Sequence, residues 1–372
     1  MIPRRSAPLW LLGPIRYAGL SRVQARLALA LFALLLAAFI MAVVSPDPRA
    51  GAKPDGAPIG QTRLLLDQAV VEAVRSGVPY YIAATEAQRI AHYPLKPFVA
   101  VRLPTLAVVE AALPPLLVTL ALLLLCIATM VAWIVRLRPA LTGLVPVGLV
   151  GVLVLVGLYL NLDPALVVVH EIWAGPLIAL SLALRRPGHW IPAVALGLSA
   201  MLIRETALLY VAVMALFAWS EGQRRETLGW LGAVLIFAVV LAAHAHAVAL
   251  VTGPLDRASQ DWDGVQELGF YVRLATMASA FDLVPQWAAS ILLATAAFGW
   301  LAWRDPLATR ACATLGGYAV ILALVGPEDA LHAILIASPV LLVGIVFATD
   351  GLRDLIAIAR NDRRITVTRI IR

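Results

Sequence analysis

Leu27-Ala-Leu-Ala-Leu-Phe-Ala-Leu-Leu-Leu-Ala-Ala-Phe-Ile-Met-Ala-Val-Val44 runs without a polar residue, and Arg4, Arg5, Arg16, Arg22 and Arg26 precede it. A helix crosses hydrocarbon with about 20 mostly apolar residues, so this stretch reads as a membrane span. A basic start before an apolar run also describes a signal peptide. No small-x-small cleavage site directly follows Val44, so the reading is an uncleaved anchor with its N-terminus in the cytoplasm.

The rest of the chain repeats the signal. Of 372 residues, 62% are apolar and 14% charged, and mean hydropathy is +0.89. Soluble domains carry roughly 45–50% apolar and 25% charged residues, so the excess belongs in lipid. Further spans are expected at 104–135, 141–160, 164–184, 227–251, 284–303, 307–325 and 330–349. Segment 190–220 suits a hairpin of two short helices meeting near Arg204-Glu205. The fold class is an all-α membrane protein of about ten transmembrane helices, or about eight if 190–220 is re-entrant.

Charge orients it. Arg136, Arg138, Arg185, Arg186, Arg224, Arg225 and Arg304 return to the N-terminal side, as does the basic stretch from Arg353 to Arg372. By the positive-inside rule both termini are cytoplasmic. The formal net charge of +7 would suggest nucleic acid for a soluble protein; here it reflects orientation, and no nucleic-acid partner is expected. The expected organisation is a cytoplasmic tail 1–22, a bundle 23–349 that includes an outer loop 45–102, and a basic cytoplasmic tail 350–372. Cys126 and Cys312 both lie in apolar runs, which argues against a disulfide between them.

Within the outer loop, Pro46, Pro48, Pro54 and Pro58 begin an extended lead-in. A helical pattern follows over 61–76, ended by Gly77 and Pro79, and a second over 81–91, ended by Pro94 and Pro97. At about 100° per residue, Gln61, Gln68, Glu72 and Arg75 form the wet stripe of the first helix, while Asp67 lies about 140° from Glu72. Asp67 therefore faces the membrane or the bundle. A carboxylate held there is partly stripped of water and suited to act as a base; a local ion pair with Arg63 is the alternative.

Ionisable residues inside spans are costly and usually functional. His170, Glu171, Arg204, Glu205, His244, His246, Asp329 and His332 gather toward the outer ends of their helices. The inner half reads as nearly free of charge, which favours a site open to one side over a path through both leaflets. His170 and Glu171 also suit an interhelical hydrogen-bonded pair, and the i,i+2 spacing of His244 and His246 does not converge two imidazoles. Asp256, Asp261, Asp263 and Glu267 read as a solvated loop. Lys96, Arg102 and Arg204 lie on the same outer side, where they suit a phosphate or lipid headgroups.

Asp67…Gly77-Val-Pro-Tyr80-Tyr81…His92-Tyr93-Pro94-Leu-Lys-Pro97…Arg102-Leu-Pro104, followed by Glu171-Ile-Trp-Ala-Gly175, Leu202-Ile-Arg204-Glu205 and Ala-Ser338-Pro339, resembles the bacterial branches of the GT-C superfamily of membrane glycosyltransferases. The likeness covers about 25–350. It implies sugar transfer from a polyprenyl-phosphate carrier to a lipid or glycan acceptor at the outer face of a bacterial cytoplasmic membrane. It implies an outer-loop acid as base, at the position of Asp67. Where that family often carries a Tyr after the acid, this chain has Val70 and Val71. Arg102, Arg204 and Lys96 would meet the leaving phosphate; Glu171, Glu205, His170 and His332 would bind sugar hydroxyls or position those groups. A divalent cation is compatible with this chemistry, but no ligand set names its site. A lipid or polyprenyl-phosphate flippase, and a non-catalytic scaffold of the same fold, are the alternatives.

Overall fold

The computed structural model describes residues 9–13, 15–44, 61–259, 268–324 and 334–360. Among these the regular structure is helical, and the only β-type pairings are isolated bridges. The Pro-rich lead-in, the acidic residues Asp261, Asp263 and Glu267, and both Asp329 and His332 lie outside the described residues.

In chain order the helices are α1 (Arg22–Val44), α2 (Gln61–Arg75), α3 (Tyr80–Ile90), α4 (Thr105–Ala112), α5 (Pro115–Leu137), α6 (Leu144–Gly157), α7 (His170–Leu184), α8 (Ile191–Ile203), α9 (Leu208–Ser220), α10 (Arg224–Val251), α11 (Leu268–Met277), α12 (Gln286–Ala302) and α13 (Pro306–Leu324). A C-terminal helix follows over Ile345–Arg360. Among the described residues, α1, α5 and α10 are long and apolar enough to cross a membrane, and α6, α7, α8, α9 and α12 are shorter apolar helices.

The two short helices expected between the first two spans form where periodicity put them, and segment 190–220 is a pair of 13-residue helices meeting at Arg204-Glu205. Two expectations are corrected. The stretch 104–135 is not one helix: Leu113 is extended and Pro114 caps α5, because consecutive prolines remove backbone donors and bar the helical conformation before them. The expected division at 350 falls inside a helix. The C-terminal helix continues to Arg360, and buried Asp350 accepts the backbone N–H groups of Leu9, Trp10 and Leu11, each at 2.9 Å. Those bonds also dock the residues before α1, where Leu11 and Ile15 are buried.

Packing builds two connected groups. The C-terminal helix, α1 and α12 pack on one another, while α7 packs on α5 and α8, α8 and α9 on α10, and α13 on α9. Small residues allow the closest approach: a Cβ on Gly299 of α12 would collide with the backbone carbonyl of Gly344, so both positions require hydrogen side chains. Cys126 and Cys312 are both free thiols.

Candidate functional site

α2, α3 and α4 pack together over the end of the bundle where α7 begins and α8 ends. Helical geometry decides which carboxylate of α2 meets the bundle. Glu72 pairs with Arg75 at 3.0 Å with its side chain 72% exposed, whereas Asp67 is only 7% exposed. Arg63, one turn earlier, lies 3.3 Å from Asp67 and is itself buried over the ring of Tyr93. Burial and the local ion pair thus coexist.

Asp67, Arg63, Tyr80, Gln88, Arg102 and His170 supply the polar lining of one small cavity, closed elsewhere by apolar side chains that include Val70 and Val71. Its volume of about 10 Å³ holds about one water. A sugar ring therefore requires α2–α4 to move away from the bundle. His170 is buried with neither ring nitrogen hydrogen-bonded, and buried polar groups without partners are rare in folded proteins.

Arg102 joins this cavity to a second set of charges. It lies 3.4 Å from Glu171 and 3.6 Å from Glu205. Arg204 stands 2.6 Å from Glu171 and in contact with Glu205. Two guanidinium groups and two carboxylates make a neutral quartet. The break between α8 and α9 presents Arg204 and Glu205 to it, and the first turn of α7 presents Glu171.

The backbone around Arg102 is held from several directions. Tyr80 donates its hydroxyl to the Arg102 carbonyl at 2.7 Å, and Gln88 Nε2 donates to the Ala100 carbonyl at 2.9 Å. Burial and neighbouring Asp67 push the Tyr80 hydroxyl well above its usual range, which keeps it a donor. His244, buried on α10, bonds the Val101 carbonyl through Nε2 at 3.1 Å and the Tyr81 hydroxyl through Nδ1 at 3.2 Å. The sequence marked His244 as interfacial; its role here is to position the segment carrying Arg102. His246, two residues on, is exposed.

Glu110 on α4 was hidden within an expected apolar span. It is 2% exposed, and both carboxyl oxygens lack hydrogen-bond partners. Burial, aided by nearby Asp67 and opposed by Arg75, pushes its carboxyl up to about 8. At neutral pH Glu110 is therefore mostly protonated.

Lys96 does not line this cavity. Its Nζ donates to the Pro254 carbonyl at 3.1 Å, within a seam that includes Leu95 N–H to the Arg257 carbonyl at 2.8 Å and a two-point contact of Arg89 with Asp256. Asp256 is thus a partner of α3 rather than merely solvated; Arg89 and the Gly253 N–H hold its carboxyl well below the usual range. Among the described residues no three His, Cys, Asp or Glu side chains converge as a metal site.

No protein-family model, curated protein or solved structure matches the chain. Charge is also less one-sided than the sequence reading held. At the far ends of α7 and α9, Arg185 bonds buried Glu226 at 2.9 and 2.8 Å, and Arg310, 1% exposed, bonds Glu221 at 2.6 Å. Arg185 reads in the sequence as a loop residue because its partner, Glu226, lies on another helix.

Proposed function

We propose that this chain is a GT-C-type membrane glycosyltransferase that moves a sugar from a polyprenyl-phosphate carrier to a lipid or glycan acceptor at the extracytoplasmic face. The proposed setting is a bacterial cytoplasmic membrane, with about ten spans and both termini cytoplasmic. The observation that carries the reading is the burial of Asp67, a residue of a loop helix, in one cavity with Arg102 and His170.

In this reading Asp67 takes the proton of the acceptor hydroxyl. The acceptor oxygen forms a bond to the anomeric carbon as the bond to the carrier phosphate breaks on the opposite face, so configuration inverts. The electron pair leaves with the polyprenyl phosphate. Arg102, the quartet member lining the cavity, meets that developing charge; Glu171, Arg204 and Glu205 position it. His170 offers its ring nitrogens to sugar hydroxyls. Lys96 contributes at most to carrier binding outside the cavity. In reconstituted membranes, Asp67→Asn abolishes transfer while the chain still folds with a cooperative melt; full activity of this variant refutes the assignment.

A lipid or polyprenyl-phosphate flippase is the second reading, favoured by the charged groups at the opposite end of α7 and α9. It requires movement of labelled lipid across vesicles with no new glycosidic bond formed.

A further inference from the structure

The end of the bundle away from Asp67 carries a second, larger concavity. α7 runs from His170 near Asp67 to Leu184, about 22 Å at 1.5 Å per residue. The pocket at this far end has a volume of about 560 Å³ and is lined in part by Arg16, Phe217, Glu221, Arg304, Asp305 and Arg310.

Its charges are unevenly matched. Arg310 is buried; it bonds Glu221 and the Pro306 carbonyl, while its Nε has no partner. Arg16 donates to Thr309 Oγ1 at 2.7 Å. Exposed Arg304 has no hydrogen bond or ion pair among the described residues. Of the two acids, Asp305 accepts the Leu307 N–H at 2.8 Å, and Glu221 is shared with Arg185 at 3.3 Å. Arg136 stands behind, with Asp305, Arg185, Arg186 and Arg310 as charged neighbours and its own Nε buried without a partner. Three arginines, Arg16, Arg304 and Arg310, therefore line the pocket with two carboxylates, Asp305 and Glu221, and Arg136 stands behind them.

Such a surplus around a concave site attracts an anion, and arginine forks match phosphate oxygens. Phe217 lies in the pocket under the Arg310 guanidinium at 5.3 Å, and elsewhere on α9 Leu216 and Trp219 are 59% and 70% exposed. Clustered arginines beside a helix with exposed apolar side chains suit a headgroup whose acyl chains lie along α9.

We infer that this pocket binds a phosphate group with net negative charge, carried by an anionic phospholipid headgroup or free in solution. The inference is independent of the transfer reading.

The test uses the full chain in detergent, titrated separately with dihexanoyl phosphatidylglycerol, dihexanoyl phosphatidylcholine and inorganic phosphate, and followed by thermal shift and native mass spectrometry. Phosphatidylglycerol is expected to bind at least tenfold more tightly than phosphatidylcholine and to weaken as salt rises. Inorganic phosphate binding as tightly as phosphatidylglycerol supports the site with a soluble ligand; much weaker binding supports a lipid. Arg16→Gln/Arg304→Gln is expected to lower affinity at least tenfold. Should that double variant fold poorly, Arg304→Gln alone, at an exposed unpaired side chain, is expected to lower it severalfold. Equal binding of the two lipids without a response to phosphate overturns the inference, as does unchanged affinity in a folded variant.

Discussion

Arg102 lies 3.4 Å from Glu171, tying the segment after α3 to the first turn of α7 while both side chains are almost fully buried. Breaking a buried pair by removing one partner costs more than replacing both. Glu171→Gln leaves two guanidinium groups with Glu205 as the remaining carboxylate of the quartet, and is expected to destabilise the fold by about 3 kcal/mol. Arg102→Met/Glu171→Leu should recover part of that loss yet remain inactive in transfer. Thermal unfolding of the two variants, set beside a transfer assay, checks both statements.

Glu110 makes stability depend on pH in the unusual direction for a carboxyl. Its folded pKa, about 8, lies above the ordinary carboxyl value of 4.5, so between these values the folded chain binds more of the proton than the unfolded one. By linkage this contribution is fully present below about 4.5 and declines as pH rises through about 8. The melting temperature of the parent should therefore fall between pH 6 and pH 8.5 by more than that of Glu110→Gln, as thermal melts across this range would show. Identical slopes would sink the account.

His244 holds the Arg102 segment through the Val101 carbonyl and Tyr81. His244→Phe keeps the ring and loses both bonds, at a cost of about 1–2 kcal/mol. Faster backbone hydrogen exchange over 98–102 is expected, along with a drop in transfer of about tenfold. Exchange unchanged in that segment would remove His244 from a positioning role.

Gly299 and Gly344 meet where neither position has room for a Cβ. Gly299→Val should abolish a cooperative melt or lower stability by more than about 3 kcal/mol. Gly232 on α10 has open space around its absent Cβ; Gly232→Ala there should be neutral or stabilising by up to about 1 kcal/mol. Melting both variants in the same detergent separates close packing from a general effect of losing glycine.

Much of this architecture is local, and local physics was readable. The apolar run of α1 and the prolines and glycines bounding α2 and α3 set those elements wherever the chain goes. The 3.6-residue period likewise predicted that Asp67 turns inward while Glu72 faces water, as their exposures have it. The same logic failed at 104–135, where hydropathy outweighed the two prolines that separate α4 from α5.

The sequence alone determined an all-helical, apolar chain, the short helices α2 and α3 and an inward-facing Asp67, because hydropathy, turn residues and helical period act over a few residues. Only the tertiary structure decided that Arg102, Glu171, Arg204 and Glu205 neutralise one another, that Lys96 turns to another loop, that Glu110 sits buried near Asp67, and that buried Arg310 pairs with Glu221 at the opposite end. Each of those depends on which distant helices lie side by side, and a charge's partner across such a contact leaves no period in the chain.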